Sequence, residues 1–171
     1  MDNLLTAVIA VLRSTPSRWQ AFAESYPPDL LNYIPSVGEW SAVAVLSHLI
    51  DTERYVFPVR VRSFLAGQDF EAFDPDREGT PPKHSMMEMI SAFAALRAES
   101  LTLLETLTTA DLDRHARHAE LGIVSLAEML HEWAGHDLMH TVQAEQAMMQ
   151  PFIAGCGAWQ VYFSKHRAER A

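Results

Sequence analysis

The stretch from Ser125 to Met149, SLAEMLHEWAGHDLMHTVQAEQAMM, constrains this chain more than any other. Ser125 followed by Glu128 is an S-x-x-E helix start, in which a hydroxyl and a carboxylate satisfy the first orphan backbone N–H groups. From there Leu126, Met129, Trp133, His136, His140, Ala144 and Ala147 recur at three- and four-residue steps, which places them on one inward face. A helix this long with a single apolar stripe must be buried against other helices. The same stripe carries two histidines one turn apart, and neutral imidazoles at that spacing can converge on one borderline transition-metal ion. Two imidazoles leave a coordination shell short, because catalytic zinc takes three protein ligands as a rule. Buried histidines satisfied by ordinary hydrogen bonds are the competing reading of the pair alone.

With 171 residues, the chain can bury one proper core and is expected to form a single domain over 1–171. A net charge of −9 and a pI near 5.3 argue against a nucleic-acid surface, which needs clustered Lys and Arg. No run of residues is long and apolar enough to span a bilayer, so no membrane partner is expected. The opening MDNLLTAVIAVLRS carries an early acid and lacks a basic n-region, so it reads as a helix and leaves the cytoplasm as the default location. The lone Cys156, between Gly155 and Gly157, has no CxxC partner and reads as a free thiol.

Leu4, Leu5, Val8, Ile9 and Leu12 mark a first amphipathic helix. Ser14-Thr15-Pro16 is expected to interrupt or kink it, with Thr15 capping a second segment through Trp19 and Phe22. Residues 26 to 39 form a connector with one short turn around Leu30 and Leu31. Ser41 is the expected N-cap of the second long helix, whose inward stripe is Val45, His48, Leu49, Thr52, Tyr55, Val56 and Val59. Pro58 should bend that helix, and Gly67 should end it. Residues 67 to 84 make a long polar connection of the kind that crosses a molecule or covers a site.

Ser85 and Glu88 repeat the S-x-x-E start for a third long helix through Met89, Ile90, Phe93, Leu96, Leu101, Leu104 and Leu107. His84, just before it, is expected to face solvent. Thr108 to Asp113 reads as a short capped turn, and residues 114 to 122 as a loop with His115 and His118 at the surface. One of those two could overhang a site. Pro151, Gly155 and Gly157 should break the Ser125 helix. The tail around Trp159, Val161, Tyr162 and Phe163 should be a short helix docked on the bundle or on a neighbouring subunit. No strand alternation stands out. The fold class expected is all-α, a four-helix bundle with a long crossover between its second and third helices and a short C-terminal helix.

If the helix of His48 lies beside that of His136 and His140, three imidazoles meet, and one shared ion costs less than three unpaired buried rings. At this point the chain resembles the DinB/YfiT-like superfamily of four-helix-bundle metalloproteins. The likeness rests on W-S-x6-H-L from Trp40 to Leu49 and on H-D-x-x-H-x-x-Q from His136 to Gln143, within a match covering most of the chain. It implies His48, His136 and His140 as ligands of a divalent metal, zinc or nickel, together with the long crossover and a homodimer. It also implies a small-molecule substrate. The activities implied are hydrolysis or S-transfer from a low-molecular-weight thiol such as bacillithiol or mycothiol. One fold with one triad serves several reactions, so these remain alternatives, as does a bundle whose metal is only structural.

A cation held by three neutral histidines keeps its full charge and can acidify water or a thiol. Glu132, one turn before His136, and Asp51, one turn after His48, are the candidate catalytic carboxylates, each weighed against a role as an ordinary helix residue. Thr52 and Gln143 stand where they could support the site. HEWAGH from His131 to His136 is not the protease pattern H-E-x-x-H, because five steps separate the histidines and His131 should point away. A carboxylate-bridged di-metal centre is also disfavoured, since inward E-x-x-H pairs are missing.

Overall fold

The structure is a computed structural model that describes residues 3–74, 79 and 85–168. Helices α1 (Leu4–Ser25), α3 (Ala42–Tyr55), α5 (Met86–Leu104) and α6 (Leu126–Gly155) form the bundle. Short α2 (Pro28–Leu31) lies in the first connector, and α4 (Phe57–Ala66) continues from α3. Both α1 and α3 pack against α5 and α6. The core falls into two clusters. One surrounds Leu12, Phe57, Leu126 and Trp133, and the other surrounds Trp19, Leu46, Leu49 and Phe93. No helix among the described residues is long and apolar enough to cross a membrane.

Three helix starts form as the spacing predicts. Ser41 accepts from the Ala44 amide, and Ser85 and Ser125 form reciprocal capping boxes with Glu88 and Glu128. In the Ser125 box the Glu128 carboxylate lies 2.7 Å from the Ser125 amide nitrogen. Ser125→Ala removes the oxygen that caps Glu128 N–H and is expected to lower stability by about 1 kcal/mol. A urea midpoint indistinguishable from that of the parent chain would contradict this.

The expected break in α1 does not occur: the helix runs unbroken through Pro16. Proline removes the amide that would bond to the Leu12 carbonyl, and a buried guanidinium replaces it, with Arg97 Nη1 2.8 Å from that oxygen. Between α3 and α4 the break is real. Val56 adopts φ −116° and ψ −82° just before Pro58, and the inward face restarts in a new register at Phe57, Val61 and Phe64. Val59, expected inside, is therefore exposed at 43%, and Tyr55, also expected inside, is exposed at 56% at the end of α3. Gly67 closes α4 at φ +66°, a left-handed conformation that suits glycine.

Residues 114–122 are not simply a loop. Strands β1 (His115–His118) and β2 (Gly122–Ser125) form an antiparallel hairpin with His115 opposite Ser125 and His118 opposite Gly122. The inward positions of β1 are Ala116 and His118, a pattern whose small and polar members hide the alternation. Phe70, at the start of the crossover, bridges to His118, so the hairpin anchors that connection. His118 is buried at 7% exposure, not on the surface, whereas His115 is exposed.

Helix α6 also continues past Pro151 and ends at Gly155, so the proline does not break it. A proline there removes only the bond to the Ala147 carbonyl, close to the helix end. The tail is a 3₁₀ segment, Gly157–Phe163, tied to α6 by Gln150, which bonds to the His166 carbonyl and the Ala168 amide. Its Trp159, Val161 and Tyr162 remain exposed on this chain. His84 lies outside the described residues.

Candidate metal centre

Capped by Ser41, α3 carries His48 into the bundle, and the long stripe of α6 brings His136 and His140 opposite it. One ring nitrogen from each of the three lies within 4.8 Å of the others. His48 Nε2 and His136 Nε2 are 3.0 Å apart. The His48–His140 and His136–His140 ring centroids are separated by 4.6 and 4.3 Å. Trp40 stacks on His140 and tilts against His48, and Phe57 meets His136 edge-on. The α3–α4 break thus has a local use, because it turns Phe57 inward against both His136 and Trp133.

Burial and mutual repulsion keep these rings neutral. His48 is lowered to about 4 by burial and then by His140. His136 is lowered to about 2, by burial first and then by His140, His48, Arg97 and Arg60. His140 is also lowered by burial, against the opposing pull of Gln143 and Asp137. Neutral imidazole is the form that ligates a metal. His140 Nδ1 lies 2.7 Å from Gln143 Oε1; an amide oxygen only accepts, so the proton is on Nδ1 and Nε2 presents a lone pair. Among the described residues the Nδ1 atoms of His48 and His136 are buried without a hydrogen-bond partner, so aromatic packing orients those rings where Gln143 orients the third. Three neutral nitrogens with converging lone pairs fit a borderline transition cation.

The other expected residues are placed differently. Glu132 lines a cavity with Arg60 and His118 that none of the three converging histidines lines, and although the residue is exposed overall, partial burial of its carboxyl raises it, with Arg60 opposing. Asp51 is buried within α3 and is not one of the converging donors. The Thr52 hydroxyl donates to the Leu49 carbonyl of its own helix. His131 is exposed, pointing away from His136 as its spacing predicts.

A model of the DinB superfamily matches residues 12–144, a span that contains all three histidines and both motifs. The chain belongs to the DinB superfamily. Comparison with curated protein sequences gives no match. Among solved structures, this DinB-superfamily chain is similar to YfiT from Bacillus subtilis, described as a probable metal-dependent hydrolase with an unusual four-helix bundle topology. The two align with a TM-score of 0.71 at 21% identity, covering 84% of this chain and 85% of the other. At that identity the likeness shows a shared fold.

Beneath the histidines lies a buried charge cluster that the sequence reading of this DinB-superfamily chain did not find. Arg97 on α5 makes a two-pronged pair with Asp137, at 2.7 and 3.1 Å. Its Nε lies 2.7 Å and its Nη2 2.6 Å from Glu53 Oε1, and Nη1 also reaches the Leu12 carbonyl. All five N–H donors of a guanidinium are thereby used. Ser100 donates to the remaining Glu53 oxygen. This cluster joins all four bundle helices and fixes Asp137, the neighbour of His136. A periodic signal was present, since Phe93, Arg97, Ser100 and Leu104 continue the inward stripe at four- and three-residue steps.

Proposed function

We propose that this chain is a divalent-metal-dependent enzyme, with the ion held by His48, His136 and His140, and that its reaction is hydrolysis. The observation that carries the reading is the convergence of one neutral ring nitrogen from each of three histidines within 4.8 Å. The description of YfiT as a probable metal-dependent hydrolase points the same way. The cation supplies charge that acidifies a water or a thiol. Gln143 holds the His140 ring so that its Nε2 lone pair stays on the site. Trp40 packs against His48 and His140, and Phe57 against His136, which holds the rings in place. Glu132, whose carboxyl is raised by partial burial, is the candidate general base, because an elevated carboxylate can exchange protons nearer neutrality. Asp51, the second carboxylate expected from the sequence, is buried in α3 and is the weaker candidate.

Thiol-dependent S-transfer is the second reading. A separate opening at His140, lined by Trp40, Leu138, Met139, Val142 and Gln143, has a volume of about 620 Å³. Its apolar and amide lining can seat a cosubstrate such as bacillithiol beside the ring. Elemental analysis before and after chelation tests the metal, with zinc and nickel as the ions expected. Reloading should raise thermal stability, by about 2.7 kcal/mol at a hundredfold excess over Kd. Metal-loaded protein should cleave members of an ester and amide panel, and chelated protein should not. Conjugation only with added bacillithiol and an electrophile would select S-transfer. A bound metal with no turnover in either assay would leave a structural role.

A further inference from the structure

On the β-hairpin side of α6, α4 and the beginning of the crossover enclose a cavity of about 370 Å³. Arg60 from α4 and His118 from β1 meet at its polar end, with Arg60 Nη2 3.3 Å from His118 Nε2. The histidine ring is pinned. Its Nδ1 lies 3.1 Å from the Glu120 amide nitrogen and 3.3 Å from that of Leu121. Backbone amides can only donate, so Nδ1 is the lone-pair nitrogen and the proton of the neutral ring is on Nε2. Guanidinium groups likewise only donate. Two donors therefore face each other across 3.3 Å, an arrangement that needs an acceptor.

The carboxylates that act on this pair stay at a distance: Glu132 faces Arg60, Glu71 and Glu120 face His118, and among the described residues none of them comes within ion-pairing reach. Arg60 touches the Glu71 carbonyl at 3.4 Å and lies over the Phe70 ring. Among the described residues no carboxylate forms an ion pair with it. The Glu128 carboxylate is committed to the Ser125 cap, and Glu132 lines the cavity without reaching Arg60 closely enough to pair. Leaving a half-buried guanidinium beside a buried N–H donor is costly unless an anion joins them.

We propose that this cavity binds the carboxylate of a small organic acid, one oxygen taking the Arg60 fork and the other the His118 Nε2–H. The acid's apolar body lies against Leu121, Val124 and Met129, which with Phe70 beside the anchoring pair make up the apolar lining. That lining selects an organic acid over inorganic phosphate. Neither anchoring residue belongs to the histidine trio, so the inference does not depend on the metal reading.

The test titrates chelator-treated full-length chain with benzoate, its neutral isostere benzamide and inorganic phosphate, followed by side-chain ¹⁵N NMR of the histidines. Benzoate should bind about tenfold or more tighter than either comparison ligand, since loss of a charge-assisted bond is of that order. The His118 Nε2–H signal should move on saturation. Arg60→Met should weaken benzoate by a similar factor, and His140→Ala should leave it intact. Equal binding of benzamide or phosphate, an unchanged affinity in Arg60→Met, or loss of benzoate binding in His140→Ala would overturn the assignment. So would a His118 proton on Nδ1. If Arg60→Met fails to fold, the ligand comparison and the tautomer in the parent chain still decide.

Discussion

Replacing His140 by alanine is expected to reduce bound divalent metal from about one ion per chain to near zero while the far-UV helix signal stays close to that of the parent. The reason is geometric. His140 is the one ring in the trio whose tautomer is set by a protein hydrogen bond, at 2.7 Å from Gln143, and its loss leaves two imidazoles for a cation that needs three. The bundle does not depend on it, because α6 is held by Leu126, Trp133 and Ala144 in the core. Gln143→Ala gives a graded companion: it deletes only the orienting acceptor and should weaken metal affinity by about ten- to a hundredfold. Metal content by elemental analysis, with affinity from competition against a chromophoric chelator, separates the two variants. Unchanged metal in His140→Ala would mean that the ion, if present, sits elsewhere.

Helical starts and the inward stripes of α3 and α6 were legible because they depend on local periodicity, whereas joining His48 to the His136 and His140 pair took an assumed adjacency of two helices and the family resemblance. Ser41, Ser85 and Ser125 cap where their spacing puts them. What escaped depended on partners distant in sequence. Pro16 reads as a breaker until Arg97, 85 positions away from Leu12, is seen at the abandoned carbonyl. The hairpin was hidden because its inward residues are Ala116, which joins the core, and His118, against which Phe70 and Arg60 pack. Val59 was misplaced by carrying one helical register across Val56. Arg97 was missed because a charged residue on an apolar stripe is read as an interruption, although here its charge is met by Glu53 and Asp137 from two other helices.

That cluster sets the larger stability effect. Arg97→Met, which keeps much of the side-chain volume and removes the charge, is expected to destabilise the fold by about 3–5 kcal/mol. Three losses coincide. Glu53 and Asp137 are left as buried carboxylates, at 3% and 1% exposure, with their shared cation gone. The Leu12 carbonyl loses the donor that lets α1 continue through Pro16. The guanidinium's contacts over Phe93 and Trp133 disappear as well. Burial already pushes the Glu53 carboxyl up while Arg97 pulls it down, so without Arg97 the folded state favours a protonated Glu53 still more. A raised folded-state carboxyl gives stability that is full below its unfolded value and is lost as pH climbs through the raised one. The Arg97→Met deficit should therefore be smaller near pH 4 than near pH 7. Urea midpoints at the two pH values measure this directly. A midpoint at pH 7 matching the parent chain would show that the cluster contributes no net stability, and a deficit that grows on acidification would show that the buried carboxylates are not its source.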